Sequence, residues 1–204
     1  MNNISINSHS SIQIDNLYFD PFQIKKPLPP AKYIFITHSH YDHLSVEDIK
    51  KVADKNTIII ATKDCKETLE SNFENKVIYV KPKETLTLGD VQVKTFASYN
   101  LNKVFHKKEM GWVGYKITYH GTSYAIVGDT DVTPELEKLS CDVLFLPIGG
   151  TYTMTAEEAA TLAKKVKPKL VVPMHYGSIV GKKEDAKIFV KALNKEVEHK
   201  LILK

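Results

Sequence analysis

Six consecutive residues, His38-Ser39-His40-Tyr41-Asp42-His43, hold three histidines and an aspartate, in a 204-residue chain with only 8 histidines in all. The window sits at a junction. Residues 32–37 (KYIFIT) read as a strand buried on both faces. Ser45, followed three residues later by Asp48, resembles a capping box ahead of an apolar stripe at Val46, Ile49, Val52 and Ala53. The cluster therefore occupies a strand-to-helix loop. Residues two apart on an extended segment point the same way, so His38 and His40 can grip one ion. Asp42 and His43 lie past the turn and can face a second. Neutral nitrogens and a carboxylate are the donors that a borderline-soft dication accepts in exchange for its waters.

The rest of the chain alternates short strands and helices. A strand is expected over residues 11–19, ending at Asp20-Pro21, with others over 57–61, 77–80, 85–88 and 91–97 and a helix after Thr62 that contains Leu69. Residues 113–119 and 124–127 flank the turn 120–123 as a hairpin. Thr133 before Pro134 predicts a short helix over 135–139. A buried strand over 142–146 leads to a helix capped by Thr155 and Glu158. A strand over 169–173 is followed by an amphipathic helix with Ala186, Phe189, Val190 and Leu193, and a closing strand over 201–203. With no repeat and no low-complexity linker, residues 1–204 read as one α+β domain, two mixed sheets face to face with helices outside both. Asp129, after the strand-like YAIVG, and His175, after LVVP, are further strand-end candidates. Loops at one sheet edge converge, which gives positions 38, 129 and 175 a way to meet.

Composition narrows the partners. All 28 basic residues are lysine, and the net charge of +4 is spread along the chain. A dedicated reader of nucleic acid would be expected to keep some arginine for guanine and phosphate forks, so no nucleic acid is expected. No apolar run has the length of a membrane span, and the first fifteen residues lack the basic and apolar regions of a secretory signal. The expected compartment is the cytoplasm. Cys65 and Cys141 are too few for a disulfide framework or a thiolate zinc site.

The chain resembles the metallo-β-lactamase superfamily through its His-x-His-x-Asp-His motif at 38–43, Gly128-Asp129-Thr130 and Pro173-Met174-His175. Asp20-Pro21, Asp131, residues 146–150 (LPIGG) and Tyr176 make it most similar to the small hydrolases related to ascorbate-phosphate lactonases and to the phospholipase D acting on N-acyl phosphatidylethanolamines. The resemblance implies a four-layer αββα sandwich with two divalent ions at its edge, zinc first and manganese or iron as alternatives. It implies that His38 and His40 hold the first ion, that Asp42, His43 and His175 hold the second, and that Asp129 bridges. The family expects one more histidine after the strand at 91–97, where this chain reads Ala97-Ser98-Tyr99-Asn100. Either His106 folds back onto the first ion, or Asn100 or water fills the place.

Two such ions would activate a water at neutral pH and polarise the scissile carbonyl or phosphoryl oxygen. Asp42 would accept a hydrogen bond from that water and help to move its proton, and Tyr152 or Tyr176 would steady the leaving group. The expected activity is hydrolysis of a small-molecule lactone, ester, amide or phosphodiester. The inserted or appended domains of the larger relatives have no room beside the core in 204 residues. A mononuclear iron oxygenase of this fold usually lacks the second-site histidine, which is present here as His43. A non-catalytic metal-binding protein would tolerate ligand loss, and residues 100–106 are where such a loss would show. A homo-oligomer is left open.

Overall fold

The computed structural model describes residues 3–203. It has two compact units, one formed by the chain up to Val80 together with Leu203, the other by Lys81–Ile202.

The first unit is a six-stranded mixed sheet with strand order β1-β2-β3-β4-β5-β6. Strands β1 (Ile4–Ser8), β2 (Ser11–Ile14) and β3 (Leu17–Phe19) form an antiparallel meander, and β4 (Tyr33–Phe35), β5 (Ile58–Thr62) and β6 (Val77–Val80) continue it in parallel. The strand expected over 11–19 is thus a hairpin. Asp15 takes a left-handed φ of 51°, which short polar residues tolerate, and the chain reverses so that Ile14 faces Leu17. Helix α1 (Val46–Val52) starts as expected behind Ser45, whose hydroxyl accepts from the Asp48 backbone N–H. The Asp48 carboxylate accepts from the amides of Gln23 and Ile24 at 2.8 and 2.9 Å, so the cap also pins the loop that follows β3. Ile49 and Val52 bury against Ile34, Ile36, Ile59 and Leu69, the last from α2 (Lys66–Asn72). Full burial of each such aliphatic side chain is worth about 1.5–3 kcal/mol.

The second unit is another six-stranded mixed sheet, order β12-β11-β10-β9-β8-β7. Strands β7 (Thr85–Leu88), β8 (Val91–Ala97), β9 (Val113–Tyr119) and β10 (Thr122–Ile126) are antiparallel, while β11 (Val143–Pro147) and β12 (Leu170–Met174) run parallel to β10. The hairpin turn is tighter than expected. His120 and Gly121 both adopt positive φ, the two-residue turn that suits strand twist, and Thr122 and Ser123 join β10. Helix α3 (Ala156–Val166) carries the expected capping box, with reciprocal bonds between Thr155 and Glu158, and α4 (Lys183–Leu193) follows β12.

Two expectations fail in this unit. Residues 135–139 form only a 3-10 turn, Leu136–Lys138, because the Thr133 carbonyl and hydroxyl capture the Leu136 amide locally. The closing strand at 201–203 does not form. Among the described residues the C-terminal segment pairs with β12 only at His199, where the Val171 N–H reaches Glu198 and the Lys200 N–H reaches Val171. The next rung would need an N–H from Pro173, which has none, so the ladder stops.

Asp142 joins the parallel strands at their start, accepting from the Ser123 N–H and hydroxyl at 2.8 and 2.6 Å and from Lys169 at 2.8 Å. The Lys169 bond, helped by Ser123, holds its carboxyl below the ordinary value. Stability from a depressed carboxylate is complete above about pH 4 and is lost as pH falls through the lowered native value. Asp142→Asn should cost no more than about 1 kcal/mol at neutral pH, because the Lys169 partner is exposed to solvent. Melting temperatures recorded down to acid pH should show the variant losing less on acidification than the parent; parallel profiles would contradict this. Among the described residues, no helix is long and apolar enough to cross a membrane.

Candidate metal centre

In the first unit the motif histidines are gripped from behind. Asp20, buried at the end of β3, accepts from the Thr37 N–H at 2.8 Å and the Thr37 hydroxyl at 2.7 Å, and from His43 Nδ1 at 2.7 Å. Burial pushes the Asp20 carboxyl above its usual value, against the opposing pull of His43 and Thr37. The Thr37 hydroxyl has only one proton and spends it on Asp20, so its oxygen accepts from His38 Nδ1 at 2.9 Å. Both imidazoles therefore carry their proton on Nδ1, and Nε2 is the atom that can ligate. His38 Nε2 and His40 Nδ1 converge to 3.1 Å. Two nitrogens bound tetrahedrally to one zinc at ~2.0–2.1 Å would lie about 3.3 Å apart, so this pair is already spaced for one ion. Asp42 Oδ2 lies 3.7 Å from His43 Nε2.

Sequence reasoning missed one residue here. His9, in the turn between β1 and β2, is fully buried, and its Nε2 lies 3.1 Å from Asp42 Oδ2. His9, Asp42 and His43 each offer a donor atom within 4.8 Å of the others. The sequence marks Asp20 as a turn former and as part of the resemblance, but its bonds to Thr37 and His43 depend on β3 lying beside β4.

In the second unit His106 folds back. It is 1% exposed, and its Nδ1 meets two acceptors, Asn100 Oδ1 at 3.0 Å and the Tyr152 carbonyl at 3.1 Å. That fixes the proton on Nδ1 and turns Nε2 to within 3.3 Å of Asp129 Oδ2. Asn100 completes the clamp, accepting from the His106 backbone N–H and donating to the Tyr152 carbonyl. The loop is tethered. Asp131 accepts from the Leu101 N–H at 2.9 Å and pairs with Lys103, while Lys108 and Tyr99 both bond Glu135.

Asp129 follows β10 through Gly128, whose φ is 66°. Its Oδ2 lies 2.9 Å from His175 Nε2. His175 closes β12, and its carbonyl passes so near Gly149 that a Cβ there would sit 2.5 Å from the oxygen. Only glycine allows that approach, which gives Gly149 after β11 a physical role. Tyr152 is 36% exposed and touches Phe105 edge to face, whereas Tyr176 is 4% exposed, and burial raises its phenol pKa. Burial also pushes the Cys65 and Cys141 thiols up to about 12 and about 11, away from thiolate chemistry.

The donor set, imidazole nitrogens and carboxylates with orienting partners behind three of the rings, fits divalent transition metals. The model of the β-lactamase superfamily domain family matches residues 2–176. The chain is 27% identical over 188 residues, 83% of its own length and 81% of the relative's, to a protein of Natranaerobius thermophilus named UPF0173 metal-dependent hydrolase. A solved metal-dependent hydrolase from Parabacteroides distasonis superposes with a TM-score of 0.85 at 29% identity, covering 98% of this chain and 93% of that one. The metallo-β-lactamase fold protein YhfI from Bacillus subtilis shares the fold at 13% identity, with a TM-score of 0.72 over 98% of this chain and 95% of its own. A family match that spans the motif loops of both sheets through to Tyr176 decides the assignment: the chain belongs to the β-lactamase superfamily, among its metal-dependent hydrolases.

Proposed function

We propose that the chain is a dinuclear hydrolase of one functional domain. His38, His40 and His106 hold one divalent ion, Asp42, His43 and His175 hold a second, and Asp129 serves both. The observation that carries this is the common tautomer: His38, His43 and His106 are each held at Nδ1 by an oxygen, so each presents Nε2 as a ligand. Zinc suits a set dominated by imidazole, with manganese or iron as the alternatives.

When bound, such ions supply a water acidified toward pH 7 and polarise a carbonyl or phosphoryl oxygen. The chain's own residues do the rest. Asp42 accepts the proton of the attacking water, Asp129 orients that water, and Tyr152 at the exposed rim steadies the leaving group. The substrate class is a small-molecule lactone, ester, amide or phosphodiester, met in the cytoplasm.

Panels of lactones, phosphodiesters and thioesters offered to zinc- and manganese-loaded protein test the reaction class. Turnover that is lost with a chelator and restored by metal, without oxygen, is expected. Turnover only under oxygen with iron would replace hydrolysis by oxygenation.

His106→Ala should weaken one metal site selectively by roughly 10 to 100-fold and leave the other unchanged, as loss of a ligand does. Zinc titration against a competing chelator measures both. Unchanged affinities with a raised Michaelis constant would instead make the basic loop at residues 103–108 a substrate gate.

A further inference from the structure

The turn between β1 and β2 should be an exposed hairpin tip, and it is not. The β1–β2 register shifts between Ile6 and Ser8, and His9 and Ser10 then close a two-residue turn between the paired Ser8 and Ser11. The first position of such a turn takes positive φ and favours glycine or asparagine. Here it is histidine, with φ of 50°, and it is fully buried, as Ser10 nearly is. A bulky residue held in the left-handed region and taken out of water at a hairpin tip points to a use for its ring.

The ring's surroundings name that use. Phe22 and His43 stand edge-on to it, with centroids at 6.2 and 5.9 Å. They aim Nε2 at Asp42 Oδ2, 3.1 Å away. A carboxylate can only accept, so the proton lies on His9 Nε2.

We propose that His9 is the positioning residue of Asp42. It binds Oδ2, the oxygen that also lies 3.7 Å from His43 Nε2, and so fixes the rotation of the carboxylate relative to that ligand nitrogen. The inference rests on the reading of Asp42 as a ligand and adds a member that the six-residue motif does not contain.

Two substitutions separate this role from a purely structural one. Asparagine suits the positive φ better than histidine but is too short to reach Asp42. Glutamine suits it no better but places an amide N–H near the position of Nε2. A positioning role therefore ranks metal affinity as His9, then His9→Gln, then His9→Asn, whereas a turn-forming role ranks stability with His9→Asn first.

Zinc titration against a chelator, with melting of the metal-free proteins alongside, reads both orders. We expect His9→Asn to weaken one site about 10 to 100-fold while melting no lower than the parent, and His9→Gln to recover most of the affinity. Equal affinity in all three proteins would overturn the proposal, provided that Asp42→Asn weakens the same site. If Asp42→Asn also binds zinc normally, the ligand reading of Asp42 falls, and the role of His9 with it.

Discussion

Asp129→Asn should lower turnover by about 100-fold or more while the metal-free protein melts at or above the parent temperature. The side chain is buried between two imidazoles, His106 Nε2 at 3.3 Å and His175 Nε2 at 2.9 Å. Bonds from other residues hold its turn. The Ser98 hydroxyl bonds the carbonyls of Val127 and Asp129, and Thr130 exchanges bonds with Tyr99. A buried carboxylate costs desolvation without an opposite charge, so its neutral isostere is cheaper to bury in the apo state. On the proposed dinuclear reading metal binding would reverse the balance, because an amide would not compensate two cations. Turnover per folded molecule, beside melting curves of the metal-free proteins, checks both halves. A sharp fall in melting temperature with turnover retained would make Asp129 a turn residue.

The double variant His38→Ala/His40→Ala should lose one metal ion per chain and nearly all hydrolysis. The two nitrogens at 3.1 Å are spaced to chelate one ion, so removing both should empty that site. Asp20 should keep His43 oriented in the variant, since its bond to Nδ1 does not pass through either mutated ring. The second ion should accordingly remain. Competition with a chelator should show one tight site surviving. Full retention of two ions would remove His38 and His40 from the ligand set.

What was legible in the sequence was what is local. The motif loop, the Ser45 and Thr155 caps and the strand ends before Asp129 and His175 follow from hydrophobic period and capping chemistry within a few residues. What was not legible depends on distant chain. His9 lies in a polar run, Asn7 to Ser11, whose burial could not be read from its composition. The choice between His106 and Asn100 stayed open because the loop's path is set by tethers to Asp131 and Glu135, some thirty residues on. In the structure the two residues are partners, the amide of Asn100 gripping the ring of His106. The missing closing strand turns on one absent N–H, at Pro173, in the neighbouring strand rather than in the segment itself.

Elemental analysis of the zinc-loaded, dialysed parent protein, with activity measured on the same samples before and after chelation, tests the dinuclear reading most directly. Close to two ions per chain are expected, with hydrolysis abolished by the chelator and recovered as the second ion returns. A ratio near zero, or full activity in the metal-free protein, would contradict it.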